Sequence, residues 1–223
     1  LRVVDASSGS ASDVASRVDG VLSGMGAPGW VPTPLSPTVV CVLGAAGSGR
    51  SMACAVAASS TGSTHLVPEA LLREAMEAGH ELGVAAAELL RSGKVLPASM
   101  WVELVVAAIG VGGGSGSYVV EGFPEDAPTL EAFEGALGCG VALCVRLDCD
   151  EETLASRLEG RSSAEAWDFF DETEREASAE SVGRRQRLFA SSSAAVSSAL
   201  AGGGRLRVVD ASSGSASDVA SRV

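Results

Sequence analysis

Gly44-Ala45-Ala46-Gly47-Ser48-Gly49-Arg50-Ser51 has the residue types and spacing to hold a phosphate group. It fits the glycine-loop pattern Gly-x4-Gly-Lys-Ser/Thr at every fixed position except the lysine, which is Arg50. Glycines let successive backbone N–H groups turn inward, so that they and the N-terminus of the following helix cradle an anion. Gly44, Gly47, Ser48, Gly49, Arg50 and Ser51 are therefore candidate triphosphate-binding residues, and the Ser51 hydroxyl is a candidate magnesium ligand. Arg50 keeps the charge of the usual lysine but replaces a compact ammonium with a broad planar fork. A glycine loop in a chain rich in Gly and Ala can also be a plain turn, so the flanking elements decide. Thr38–Leu43 is an apolar, β-rich run of strand length, and Met52–Ala58 reads as a small-residue helix packed on a sheet. Strand, loop and helix together are the context in which this pattern binds phosphate.

The chain has 223 residues and is 46% hydrophobic, enough for one sizeable α/β core or one domain with appendages. Aromatic residues make up only 4%, so Val, Leu and Ala must fill that core. A net charge of −12 argues against nucleic acid or an anionic membrane surface as partner, because both demand clustered Lys and Arg. Cys41, Cys54, Cys139, Cys144 and Cys149 show neither disulfide nor zinc spacing, and read as reduced core residues of a cytoplasmic protein. With only His65 and His80, a histidine-based metal site is not expected. No apolar run is long enough to span a bilayer.

Leu1–Val18 recurs without a change as Leu206–Val223. Identity over this length predicts one period of a tandem array plus an overlap. On that reading residues 1–23 end a preceding unit, 24–37 form a Gly/Pro-rich linker, and 38–223 make up the domain. Each copy reads as a short strand, a Ser/Gly turn and a helix. Both strands compete for one sheet edge, and the later copy, covalently closer to the rest of the unit, is expected to hold it. Between Thr38 and Val223 strands and helices alternate. Strands are predicted near 64–67, 118–121, 141–147 and 206–209, and helices at 68–78, 82–92, 98–109, 129–137, 151–158 and up to Leu200. This is the alternation of a parallel sheet covered by helices on both faces.

Several further segments, in this order, resemble the adenylate kinase and nucleoside monophosphate kinase family. His65-Leu66-Val67-Pro68-Glu69-Ala70-Leu71-Leu72-Arg73 is similar to the family's monophosphate segment, and Gly93-Lys94-Val95-Leu96-Pro97 to its Gly-x-Leu-Val-Pro. Glu121-Gly122-Phe123-Pro124 looks like Asp-Gly-Phe-Pro, and Arg157-Leu158-Glu159-Gly160-Arg161 resembles the arginine pair at the lid hinge. Arg185, four residues before Phe189, resembles the second lid-side arginine. The resemblance implies a P-loop NTPase-type fold with a parallel five-stranded sheet and a short lid at about 160–178. It also implies magnesium ATP as the possible cofactor. Arg157 would help hold the triphosphate, Arg50, Arg161 and Arg185 would be catalytic if the domain is active, Arg73 would meet the acceptor, and Glu121 would hold a magnesium water. Arg157 and Arg161 can equally be exposed helix-end charges, and Arg73 a surface arginine.

The departures from the family pattern fall where phosphoryl transfer would happen. The loop lysine is Arg50, the polar Ser-Thr-Gly-Asp stretch is Val67-Pro68-Glu69-Ala70, and the arginine expected after Gly-Phe-Pro is Glu125. Phosphoryl transfer rests on positioning and cationic stabilisation. A carboxylate about 5 Å from a monophosphate costs about 3 kcal/mol at an effective dielectric of about 20. The expectation is an adenylate-kinase-like repeat module of a larger scaffold, with impaired kinase activity and retained capacity for ATP. Its partners would be neighbouring units and other axonemal or cytoskeletal proteins, in the cytoplasm or a cilium or flagellum. The alternative is an active nucleoside monophosphate kinase with a rebuilt acceptor site. The aromatic residues Trp167, Phe169 and Phe170 within the lid segment would either pack locally or anchor a neighbour.

Overall fold

In a computed structural model of the protein, residues 36–112, 114, 116–159, 179–214, 218–219 and 221–223 are described. The segments expected to be the end of a preceding unit (1–23), most of a linker (24–37) and a lid (about 160–178, with Arg161) lie outside them.

Five strands, β1 (Thr38–Gly44), β2 (Thr64–Leu66), β3 (Ser117–Glu121), β4 (Leu143–Asp148) and β5 (Leu206–Asp210), form one sheet in the order β2-β3-β1-β4-β5. Every pairing is parallel. Among the described residues seven helices accompany them: α1 (Arg50–Thr61), α2 (Pro68–Glu77), α3 (Glu81–Arg91), α4 (Ala98–Val111), α5 (Ala127–Leu137), α6 (Glu151–Glu159) and α7 (Ala179–Ala201). The strand-helix alternation read from the sequence is thus the architecture found. β5 is the later copy of the duplicated segment, paired with β4 from Cys144↔Leu206 to Asp148↔Asp210.

Both faces of the sheet are buried, so successive residues of β1 serve opposite cores. Val39, Cys41 and Leu43 pack with Val105, Ile109, Phe133, Val196 and Leu200 from α4, α5 and α7. Val42 turns the other way, to Ala53, Cys54 and Ala58 of α1 and Leu154 of α6. The few aromatics are placed economically: Phe123 and Phe133 meet edge to face with ring centres 5.0 Å apart. A smaller cluster, Leu72, Leu82, Ala86, Leu96 and Leu104, joins α2, α3 and α4. There α3 approaches α2 so closely that a Cβ on Gly83 would strike the Ala75 carbonyl.

Some boundaries shift for local reasons. α1 starts at Arg50, two residues earlier than expected, directly from Gly49 in the left-handed conformation (φ 88°). β4 starts at Leu143 rather than at 141, because the Val141 N–H donates to the Glu134 carboxylate (2.8 Å) instead of to a strand. Pro68 opens α2 at a position where its missing N–H would have had no helical partner. His80 caps α3, its Nδ1 accepting from the Leu82 N–H. Among the described residues no helix is long and apolar enough to cross a membrane.

Candidate functional site

In a parallel sheet the strands deliver their loops to one edge, and ligands bind beyond their C-terminal ends. Here β1 at the centre ends in Gly44, and β3 beside it ends in Glu121. The glycine loop between β1 and α1 carries two residues in the left-handed region, Gly47 (φ 89°) and Gly49 (φ 88°). Gly47 also has no room for a side chain, since a Cβ there would lie 3.1 Å from Leu158 Cγ and 3.2 Å from the Leu154 carbonyl. α6 therefore sits directly under the loop. The N-terminus of α1 has no side-chain cap, and the fully buried Ser48 has a hydroxyl without a hydrogen-bond partner among the described residues. Uncapped amides and an orphaned hydroxyl at a glycine loop fit a phosphate chain.

Arg50 does not reach over that loop. Its guanidinium folds back toward the sheet edge, where Nη1 donates to the Gly44 carbonyl (2.8 Å) and Nε to Glu121 Oε1 (3.3 Å). It lies flat against Gly122 (φ 70°), whose missing Cβ would be 3.0 Å from Arg50 Cζ. A side chain at 122 would crowd the fork and would be strained in this left-handed conformation. Ser51 Oγ donates to the same Glu121 oxygen at 2.6 Å, and His65 Nε2, in the middle of β2, is hydrogen-bonded to Glu121 Oε2 at 3.0 Å.

Burial by itself would raise the pKa of Glu121. The hydrogen bonds from His65 and Ser51, with the charge and hydrogen bond of Arg50, outweigh it and bring the carboxyl to about 2. Two more carboxyls share the neighbourhood of Arg50. Loss of water raises Glu69 at the start of α2, with Glu121 and Glu125 adding repulsion against the pull of Arg50. Glu125 is exposed as a residue, yet desolvation of its carboxyl and the adjacent Asp126 raise it too, again against Arg50. Glu121 is thus in contact with the guanidinium, and Glu69 and Glu125 lie near enough to feel its charge.

Of the residues predicted from sequence, Gly44, Gly47, Ser48, Gly49, Arg50, Ser51, Glu121 and Glu125 come together at this edge. Arg157 lies on the opposite flank of the loop. Its guanidinium donates to the Gly47 carbonyl (3.4 Å) and the Gly214 carbonyl (3.1 Å), bracing the loop against the segment after β5. Arg73 is exposed on α2. Arg185 lies on α7 and its side chain, like all of Arg161, falls outside the described residues. His65 and Glu69 were not singled out as site residues by sequence reasoning. Their signal was position: both flank the end of β2, which pairs with β3 just before Glu121.

Comparison with known proteins agrees with this geometry. The family model for adenylate kinase matches residues 42–200. This chain belongs to the adenylate kinase family. It is 30% identical over 175 residues to UMP-CMP kinase 3 of Arabidopsis thaliana, covering 78% of this chain and 82% of that protein. It is 28% identical over 178 residues to probable UMP-CMP kinase 1 of the same plant, covering 80% and 82%. Adenylate kinase isoenzyme 1 of Cyprinus carpio matches at 30% over 121 residues, 54% of this chain and 62% of that protein.

For an adenylate kinase family member the implied cofactor is magnesium ATP, and the fit is uneven. The glycine loop suits the triphosphate. The groups that would serve magnesium, Ser51 and Glu121, are hydrogen-bonded to each other, and Glu121 also to Arg50, so a hydrated ion would have to displace the guanidinium from Glu121.

Proposed function

We propose that this domain is a nucleotide-kinase-fold module whose phosphoryl transfer is impaired and whose remaining nucleotide capacity is on the triphosphate side. The observation that carries this reading is the fold-back of Arg50 onto Gly44 and Glu121. A cation that would stabilise the transferring phosphate is instead spent on an internal carboxylate, with Glu69 and Glu125 beside it. An anionic monophosphate approaching this edge meets carboxylates where catalysis needs positive charge. Magnesium ATP would supply the transferable phosphoryl group. The backbone of Gly44–Gly49 would hold its phosphates, with Arg157 keeping the loop in shape.

Such a domain serves as a structural unit. Exact duplication of 18 residues supports a repeat module of a larger scaffold, with neighbouring units as its partners, and the family resemblance extends this to an axonemal setting in a cilium or flagellum. A second reading, an active nucleoside monophosphate kinase, is favoured by the names of its relatives, which include UMP-CMP kinases and an adenylate kinase.

A coupled assay of ADP production with UMP, CMP and AMP as acceptors separates the two. The module reading expects turnover several powers of ten below the roughly 1–100 per second usual for kinases. Turnover in that ordinary range with any of the three acceptors overturns it. Retained triphosphate binding is read separately, as a rise in melting temperature with millimolar magnesium ATP.

A further inference from the structure

We propose that Cys54, His65 and Glu121 form a binding site for one zinc ion. The three residues come from three packed elements, Cys54 from the second turn of α1, His65 from β2 and Glu121 from the end of β3. Their ligand atoms all lie within 4.8 Å of one another. A tetrahedral zinc with Zn–N of about 2.0 Å and Zn–O of about 2.1 Å would hold nitrogen and oxygen about 3.3 Å apart. His65 Nε2 and Glu121 Oε2 are 3.0 Å apart, so the pair is close to that geometry. The thiolate would sit about 3.5 Å from the nitrogen, at a Zn–S distance of about 2.3 Å.

The donor set selects the ion. One thiolate, one imidazole and one carboxylate suit zinc, whereas magnesium prefers all-oxygen octahedral surroundings. Three protein ligands leave a fourth position for a water, the arrangement of an open zinc site. Zinc displaces the Cys54 thiol proton to solvent, and the resulting thiolate offsets one positive charge of the ion, while the Glu121 carboxylate is shared between zinc and Arg50. The carboxylate divides its work, because Ser51 and Arg50 hold Oε1 and leave Oε2 facing His65. These bonds fix the ligand from behind as the outer contacts of metal sites do. Cys54 and Glu121 are buried, and His65, with 25% of its side chain exposed, gives the ion its way in. This site is not the magnesium place of the glycine loop, since it uses the other oxygen of Glu121 and a thiol from inside α1.

The test uses the whole chain stripped of metal with a chelator and titrated with zinc in competition with a chromogenic zinc indicator, without nucleotide. One equivalent is expected to bind, unaffected by millimolar magnesium. Cobalt(II) added in place of zinc is expected to give a near-ultraviolet thiolate charge-transfer band and the strong visible bands of a tetrahedral ion. Cys54→Ser should abolish the charge-transfer band, and Cys54→Ser and His65→Gln should each weaken zinc binding about tenfold or more. Cys139→Ser, removing a half-buried thiol elsewhere, should change neither. A cobalt spectrum without thiolate character, or zinc affinity unchanged in Cys54→Ser, overturns the assignment. The cobalt spectrum is read on the unaltered chain, so a variant that folds poorly does not blunt the test. Zinc uptake and phosphoryl transfer are separate readouts, so failure of one leaves the other standing.

Discussion

At Glu121 three side chains converge on one buried carboxylate, and the chemistry of the edge follows from which of them stays. Arg50 holds Glu121 and the Gly44 carbonyl at once through two arms of its fork, a geometry that a lysine ammonium cannot reproduce. Arg50→Lys is therefore expected to release the charge toward the glycine loop and tighten magnesium ATP about tenfold, the worth of one charge-assisted hydrogen bond. Calorimetric titration would check this, and equal or weaker ATP binding would count against the fold-back as the obstacle. On the acceptor side Glu125→Arg removes one of three carboxyls and supplies the cation that a monophosphate needs. UMP or AMP binding should improve about tenfold or more, and no gain would show that residue 125 does not face the acceptor. The carboxylate has a pH signature as well. Its pKa falls from 4.5 to about 2 on folding, so its contribution to stability is whole above about pH 4.5 and is lost as pH drops toward 2. The shift is equivalent to about 3 kcal/mol. Asp126, Asp150 and Asp210, also lowered by hydrogen bonds, act in the same window, so the difference between proteins is what matters. Urea midpoints at about pH 6 and about pH 3 should fall further for the natural chain than for Glu121→Gln. Parallel falls would mean that Glu121 is not held as described.

At the scale of elements, close approach rather than propensity fixes several positions. α2 and α3 meet with the Ala75 carbonyl against Gly83, where any Cβ would overlap backbone that cannot move without parting the helices. Gly83→Ala gains helix propensity of up to about 1 kcal/mol yet is expected to destabilise by about 1–3 kcal/mol net, because overpacking against backbone wins. A thermal melt decides it, and a raised melting temperature would show that the helices part cheaply. This contrast marks what the sequence could disclose. The strand-loop-helix frame was legible because alternating apolar runs and Gly breaks report burial on two faces of a parallel sheet. The glycine loop was legible because its pattern follows from backbone conformation, and Gly47 and Gly49 are indeed left-handed. The direction of the Arg50 fork was not. It depends on Gly122 being bare and on Glu121 and Gly44 lying within reach, and these meet only through the pairing of β1 with β3. Likewise His65 reads as an ordinary strand residue until β2 is placed beside β3, bringing it to a carboxylate 56 positions away.

Across the whole molecule, the duplicated segment poses a problem of one slot and two claimants. The edge beside β4 is filled by Leu206–Asp210, and Val209, Ala211 and Val219 of the same copy are buried in the cluster around α1 and α6. Arg157 adds a tie from α6 to the Gly214 carbonyl, so this copy also helps to hold the glycine loop. Leu200 and Leu206 are joined by a short turn in which the Arg205 N–H donates to the Leu200 carbonyl. That turn keeps the second copy at high effective concentration next to its slot, whereas a longer stretch of sequence separates the first copy from β4. If the later copy saturates the edge, the first contributes nothing to the folding of residues 36–223. A protein lacking residues 1–35 is then expected to melt within about 2 °C of the full chain, the span of a surface change of about 0.5 kcal/mol in a domain this size. A clear drop on truncation would mean that the leading copy, and not only β5, completes the sheet. The unit competent to fold would then be larger than the family domain that carries the glycine loop.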